Sequence, residues 1–200
     1  NKWAGVLFDH DNDGIRTSTG WVGSDDGILV LDRNGDGVIN DGSELFGDSV
    51  TLKDGSQASN GYAALAEFDS NGDGKVNAED TNFEQLKVWR DLNQDGVSQT
   101  NELFGLTELV IQSLNLNHTN TDTALGSDNI LAQTGSFETL DGQSHIMGDV
   151  NFSFNSIYSS FNNTIELTVE QQQAANLQGI GRVRDLREAA ALSLELAETL

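Results

Sequence analysis

Four times within its first 102 residues the chain repeats one frame, Asp-x-(Asp/Asn)-x-Asp-Gly: D-H-D-N-D-G at 9–14, D-R-N-G-D-G at 32–37, D-S-N-G-D-G at 69–74 and D-L-N-Q-D-G at 91–96. Oxygen-bearing side chains at alternate positions, followed by glycine, suit a hard cation. A calcium loop of this type takes oxygens from positions 1, 3 and 5, a backbone carbonyl from 7, an oxygen at 9 and a bidentate carboxylate from 12. Glycine at position 6 allows the sharp turn, because only glycine reaches positive φ cheaply.

The loop at 91–102 fits throughout, with Asp91, Asn93, Asp95, the carbonyl of Val97, Gln99 and Glu102. The loop at 69–80 offers Asp69, Asn71, Asp73, the carbonyl of Lys75, Asn77 and Asp80, one methylene shorter than glutamate. At 32–44 the set is Asp32, Asn34, Asp36, the carbonyl of Val38, Asn40 and Glu44, whose acid falls one position late. At 9–17 it is Asp9, Asp11, Asp13, the carbonyl of Ile15 and Thr17; position 12 is Gly20, so Asp25 or Asp26 is expected to complete it. Any one loop has a plain alternative, a solvated turn of Asp, Asn and Gly. Four registers of one pattern argue instead for about four Ca²⁺ sites.

The 32 acids against 10 bases give a formal charge of −22. That excludes a basic nucleic-acid footprint, and an acidic membrane surface would repel the chain. No apolar stretch approaches the roughly 18 residues of a membrane span, so membrane insertion is not expected. Hydrophobic residues make up 36% and there are three tryptophans, which favours a folded chain over acidic disorder. Twelve of the acids, three per loop, are candidate ligands, and four divalent ions would cancel eight of the excess negative charges. Cysteine is absent, which rules out disulfides and thiolate metal sites.

Loop starts at 9, 32, 69 and 91 read as two sequence-adjacent pairs. I-L-V-L-D at 28–32 predicts a buried strand, and G-Y-A-A-L-A-E-F at 61–68 a short helix. A-E-D-T-N-F-E-Q-L-K-V-W at 78–89 predicts a helix leaving the third loop, with Phe83, Leu86 and Trp89 inward; Trp21 is also expected in the core. A strand is predicted at 113–118, and two more around the turn Asp141-Gly142. Residues 155–164 read as a domain edge. From Thr168 the chain is helical in character, with Val183, Leu186, Ala190 and Ala197 on one face and Gly179 and Gly181 as a break. The fold class is therefore α+β: a module of paired EF-hand-like loops, short helices and a small antiparallel sheet at 1–161, then a linker and helical segment at 162–200. His10, His118 and His145 lie far apart and are expected as polar surface residues. No nucleophile elbow or phosphate loop occurs.

The runs F-D-H-D-N-D-G-I-R-T-S-T-G-W at 8–21, D-G-S-E-L-F-G-D at 41–48 and L-K-V-W-R-D-L-N-Q-D-G at 86–96 closely resemble the self-processing module of FrpC-like RTX proteins. Those are large calcium-dependent proteins secreted by Gram-negative bacteria, adhesins among them. The similarity covers about 3–161, and G-R-V-R-D-L-R-E-A-A-A-L-S at 181–193 resembles the segment that follows the module. The resemblance implies a secreted or cell-surface protein exported by type I secretion. It implies that calcium folds the module, which then promotes a single-turnover cleavage of an Asp-Pro bond at its N-terminal edge. The aspartate side chain attacks its own carbonyl to form a cyclic anhydride, which water opens, or a lysine amine of another chain, leaving an isopeptide crosslink. The sequence contains no proline, so the scissile bond is absent and Asn1 is expected to fall inside the module. No catalytic residue carries over, and this chain by itself is expected to be inactive. Two other readings remain: a purely structural calcium-stabilised adhesin or interaction module, and a dockerin-like module, suggested by Asp80 but normally much shorter.

Overall fold

The apolar runs between the acidic loops are too short to form long helices, and most of them pair as strands. A computed structural model describes residues 5–193, in mostly antiparallel sheet with few helices. β1 (Val6–Phe8) and β2 (Ile15–Thr19) flank the first loop and pair antiparallel, Phe8 opposite Thr17. β3 (Ile28–Val30) leads into the second loop, whose ends close on each other through Leu31 N–H to Glu44 O at 2.9 Å and a Val30–Leu45 bridge. α1 (Gly61–Ala66) starts where the Asn60 side chain accepts from Ala63 N–H, and buries Tyr62, Ala64 and Leu65 ahead of the third loop.

β4 (Lys75–Asn77) is the exiting arm of the third loop. The helix predicted over 78–89 is replaced by a 3₁₀ turn at Phe83–Gln85 and a strand, β5 (Lys87–Trp89). Asn82, at φ 72°, turns the chain left-handed just before that point, and β5 is taken up between β3 and β6 (Leu103–Gly105). Phe83, Leu86 and Trp89 are still buried, since a turn followed by a strand delivers the same three-residue spacing inward.

β7 (Ile111–Asn115), β8 (Thr119–Ala124), β9 (Ile130–Thr139) and β10 (Ser144–Asn151) form a sheet with β4, in the order β10-β9-β7-β4, β8 pairing with another part of β9. The β9–β10 hairpin turns at Asp141-Gly142, with Gly142 at φ 80° and its N–H on Thr139 O at 2.8 Å. The expected edge at 155–164 is instead largely a strand, β11 (Phe154–Phe161), which pairs with β2 so that Phe161 lies opposite Ile15. The C-terminal region holds two short helices, α2 (Val169–Gln173) and α3 (Leu186–Leu192). Of the predicted apolar face there, Ala190 is buried and Val183 exposed; Ala197 lies outside the described residues.

Two larger cores and a smaller cluster of Val50, Ala58 and Ala64 make up the buried apolar interior of the described residues. Phe8, Val30, Ile39, Leu45 and Trp89 form one, with Trp21, Ile28 and Leu103 against it. Leu65, Val76, Phe83, Leu86, Leu106, Ile111 and Leu114 form the other. The first, second and fourth loops border the tryptophan core through Phe8, Ile39 and Trp89, and the third borders the leucine core through Val76.

Candidate metal centres

Each loop is wound by the same hydrogen bonds. The position-1 aspartate accepts from the amides at positions 5 and 6: Asp13 and Gly14 on Asp9 (3.1 and 2.9 Å), Asp36 and Gly37 on Asp32 (3.2 and 2.9 Å), Asp73 and Gly74 on Asp69 (3.2 and 2.9 Å), Asp95 and Gly96 on Asp91 (3.2 and 2.8 Å). The position-5 aspartate accepts from the amide at position 7, from Ile15, Val38, Lys75 and Val97, at 2.8–2.9 Å. Positions 4 and 6 are left-handed in all four loops, through Asn12, Gly35, Gly72 and Gln94 and then Gly14, Gly37, Gly74 and Gly96. This curls each loop around the carboxylate of its position-1 aspartate.

The closing acid is held alike in three loops, by the amides of positions 2 and 9. Glu102 accepts from Leu92 (2.9 Å) and Gln99 (3.3 Å), Asp80 from Ser70 (2.7 Å) and Asn77 (2.9 Å), and Glu44 from Arg33 (3.2 Å) and Asn40 (2.9 Å). Glu44 reaches this place from position 13 because its 3₁₀ turn, Gly42–Glu44, begins one residue later than its counterpart Thr100–Glu102; in each, the acid is the last residue of the turn. The extra residue, Asp41, caps the turn by accepting from Ser43 N–H.

Carboxylate oxygens of Asp9, Asp11 and Asp13 lie within 4.8 Å of one another, as do those of Asp32, Asp36 and Glu44, so either group could hold a metal ion. These donor sets are all oxygen, the chemistry of a hard cation rather than of zinc. In the third and fourth loops the position-3 amides of Asn71 and Asn93 lie against the carboxylates of Asp73 and Asp95 (3.4 and 3.0 Å), on the same inner face.

The first loop closes differently. Asp26 accepts from Gly23 N–H in its own turn, and neither it nor Asp25 joins the carboxylates of Asp9, Asp11 and Asp13. The expectation that one of them completes this loop is corrected. The chain instead brings Asn162, from the end of β11, whose Nδ2 donates to Asp9 (2.8 Å) while its backbone N–H donates to Gly14 O (2.8 Å). Arg182 donates to Asp11 (3.1 Å) and Asp13 (2.6 Å).

The pairing of loops also departs from sequence order. Ile39 and Ser98 occupy position 8 of the second and fourth loops; Ile39 N–H donates to Ser98 Oγ (2.6 Å), whose hydroxyl reaches Ile39 O (3.3 Å). The third loop pairs instead through β4 with β7. The equal register of Ile39 and Ser98 was available in the sequence, but nothing local marked the two as partners. Trp21 adds an indole N–H to Asp91 at 2.7 Å. His10 is not a surface residue: it lies among Phe8, Trp21 and Phe152, its Nε2 3.0 Å from Thr19 Oγ1, and burial lowers its pKa. His118 and His145 are exposed and stack on Tyr62 and Phe137.

The acids differ in their proton affinity. Burial pushes Asp9 and Glu44 above the ordinary carboxylate range, against the backbone amides that hold them. Burial acts on Asp80 too, but the amides of Asn77, Ser70 and Asn71 outweigh it and the net shift is downward. A raised pKa keeps a proton to higher pH, where a cation must displace it; a depressed one stays ionised further into acid. As the pH falls, calcium binding is therefore expected to weaken in the first two loops before the third. Titrations followed at the Gly14, Gly37 and Gly74 amides check this, and earlier loss at Gly74 contradicts it.

Glycine matters unequally. A Cβ at Gly37 (φ +84°) meets open space, whereas one at Gly96 (φ +70°) would lie 2.3 Å from Val6 Cγ1 and 3.0 Å from Leu7 O. Gly96→Ala is expected to cost about 2–3 kcal/mol and Gly37→Ala about 1 kcal/mol, read as thermal melting in calcium.

Residues 1–153 match the family model of the SPM domain. The chain is 58% identical over 198 residues, 99% of its length, to the iron-regulated protein FrpA of Neisseria meningitidis serogroup C, and spans 18% of the length of that relative.

Proposed function

This chain belongs to the SPM-domain family, and from that premise we propose that it is a calcium-folded module of a secreted RTX-type protein, each of its four acidic loops taking one Ca²⁺. The observation that carries this reading is the shared winding of the loops, in each of which the position-6 amide donates to the position-1 carboxylate, together with the convergence of three carboxylates in each of the first two. The ligands are the oxygens of positions 1, 3, 5, 7 and 9 with Glu44, Asp80 and Glu102 as closing acids; the first loop lacks such an acid and relies on Asp9, Asp11, Asp13, Ile15 and Thr17. The large area of oxygen ligands and the absence of thiols favour calcium over softer metals.

The module further promotes cleavage of an Asp-Pro bond adjacent to it, by the anhydride route that the resemblance implies, and in a longer protein can join that aspartate to a lysine of another chain. The 200 residues hold no proline and so no such bond of their own. The test is to place a segment with one Asp-Pro bond ahead of residue 1, incubate with and without millimolar calcium, and read the masses. Cleavage at that bond only with calcium is expected. An intact mass in a protein that calcium folds leaves the structural calcium module, and calorimetry that finds no calcium bound removes both.

A further inference from the structure

Arg182 stands out among the described bases because its guanidinium pairs with two acids of the first loop at once, Asp11 at 3.1 Å and Asp13 at 2.6 Å. Those are the position-3 and position-5 acids, whose oxygens, with Asp9, form one of the groups that could hold a metal ion. The first loop is also the one without a closing acid. A guanidinium there supplies from outside the positive charge that the carboxylates need to lie close together.

The segment that carries Arg182 touches the end of β11 and the residues after it. The Ser159 hydroxyl donates to Gly181 O, and Arg184 lies over the Phe161 ring at 3.9 Å and donates to Asn163 O at 3.1 Å. Within the segment, Gly179 N–H donates to Asp185 and Leu186 N–H to Leu177 O. Arg182 is the ionic link between this segment and the first loop. Its own side chain is about half exposed, at 55%.

We propose that Arg182 is an internal counter-ion of the first loop, which calcium displaces, so that filling this loop weakens the docking of the segment around 177–187 on the module. This rests on the reading of the 9–17 loop as a calcium site. A guanidinium and a divalent cation cannot share Asp11 and Asp13 without repulsion, so each must weaken the other. By that reciprocity the segment, when docked, lowers the calcium affinity of the first loop alone. Exposed ion pairs are weak and screened by salt, so the expected penalty is about threefold in Kd at physiological salt and grows as salt is lowered.

The experiment is a calcium titration of the full chain by amide NMR, following Gly14, Gly37, Gly74 and Gly96 in the unaltered protein and in Arg182→Ala and Arg182→Lys. Amide hydrogen exchange of Gly179, Val183 and Leu186 is measured with and without calcium. The expected result is that Arg182→Ala lowers the Gly14 midpoint about threefold and leaves the other three in place, with Arg182→Lys between. Calcium should also speed exchange at Gly179, Val183 and Leu186 in the unaltered protein. An unchanged Gly14 midpoint in Arg182→Ala, or exchange in the segment that calcium does not alter, overturns the proposal while leaving the calcium loop intact. A Gly14 amide that ignores calcium in all three proteins, while the other glycines respond, removes the first loop as a site and the proposal with it.

Discussion

Chelation of calcium is expected to unfold this protein, as a loss of sheet signal in far-ultraviolet circular dichroism and of a cooperative melt in EDTA. Asp9, Asp91, Glu44 and Glu102 are all almost fully buried acids, and the first and second loops each gather three carboxylates within 4.8 Å of one another. Without a cation, burial and mutual repulsion act on the same groups. A site with free ligand at about 100 times its Kd contributes roughly 2.7 kcal/mol, so four independent sites contribute on the order of 11 kcal/mol. That equals the whole net stability of an ordinary domain, about 5–15 kcal/mol. The two cores depend on the loops directly. Ile39 lies inside the second loop and Val76 inside the third, and Trp89 ends the strand that enters the fourth, so a loop that opens takes core residues with it. Spectra and melting temperatures that are the same in EDTA and in millimolar calcium would rule this out.

Asp91→Ala should be far more damaging than Asp32→Ala, although both remove a position-1 ligand and with it one calcium. Asp91 is 0% exposed and accepts from Trp21 Nε1 at 2.7 Å, Gly96 N–H at 2.8 Å and Asp95 N–H at 3.2 Å. The indole of Trp21 packs edge-on to Trp89 at 5.4 Å and against Phe8 at the same distance, so it cannot turn to find water without opening the tryptophan core. Orphaned buried donors cost about 1–3 kcal/mol each, which puts Asp91→Ala at about 3–5 kcal/mol beyond the lost ion. Asp32 is half-buried and its carboxylate serves only amides of its own loop, so the corresponding cost is about 1–2 kcal/mol. At roughly 2–4 °C per kcal/mol, the two variants should melt about 8 °C apart in saturating calcium. Equal losses in melting temperature would show that the Trp21–Asp91 bond contributes nothing.

What could be read in advance was whatever a dozen residues decide among themselves. The loop frames at 9, 32, 69 and 91 are such features, because glycine and alternating oxygens dictate the winding without help from the rest of the chain. The acid of the second loop shows the limit: Glu44 stands one place late, and only the displaced 3₁₀ turn explains how it reaches the position of Glu102. Spacing alone did not separate a helix from a turn and strand at Phe83, Leu86 and Trp89, since both point those three inward. Partners distant in sequence left no trace. Ile39 and Ser98, Trp21 and Asp91, and Asn162 and Asp9 meet only because sheets bring them together. His10 belongs with these: its polarity suggested the surface, and three aromatic neighbours drew it inward.

The pairing of β11 with β2 carries a kinetic consequence. β2 lies at 15–19 and its second neighbour at 154–161, so this sheet closes across most of the described chain, whereas each loop closes within about a dozen residues. Contacts so far apart in sequence form slowly, and local ones quickly. A refolding experiment started by adding calcium should therefore have two speeds, a fast rise as the loops wind and a slower one as β11 arrives. Until that second step Asn162 is not at Asp9, and the first loop is the last of the four to reach its final form.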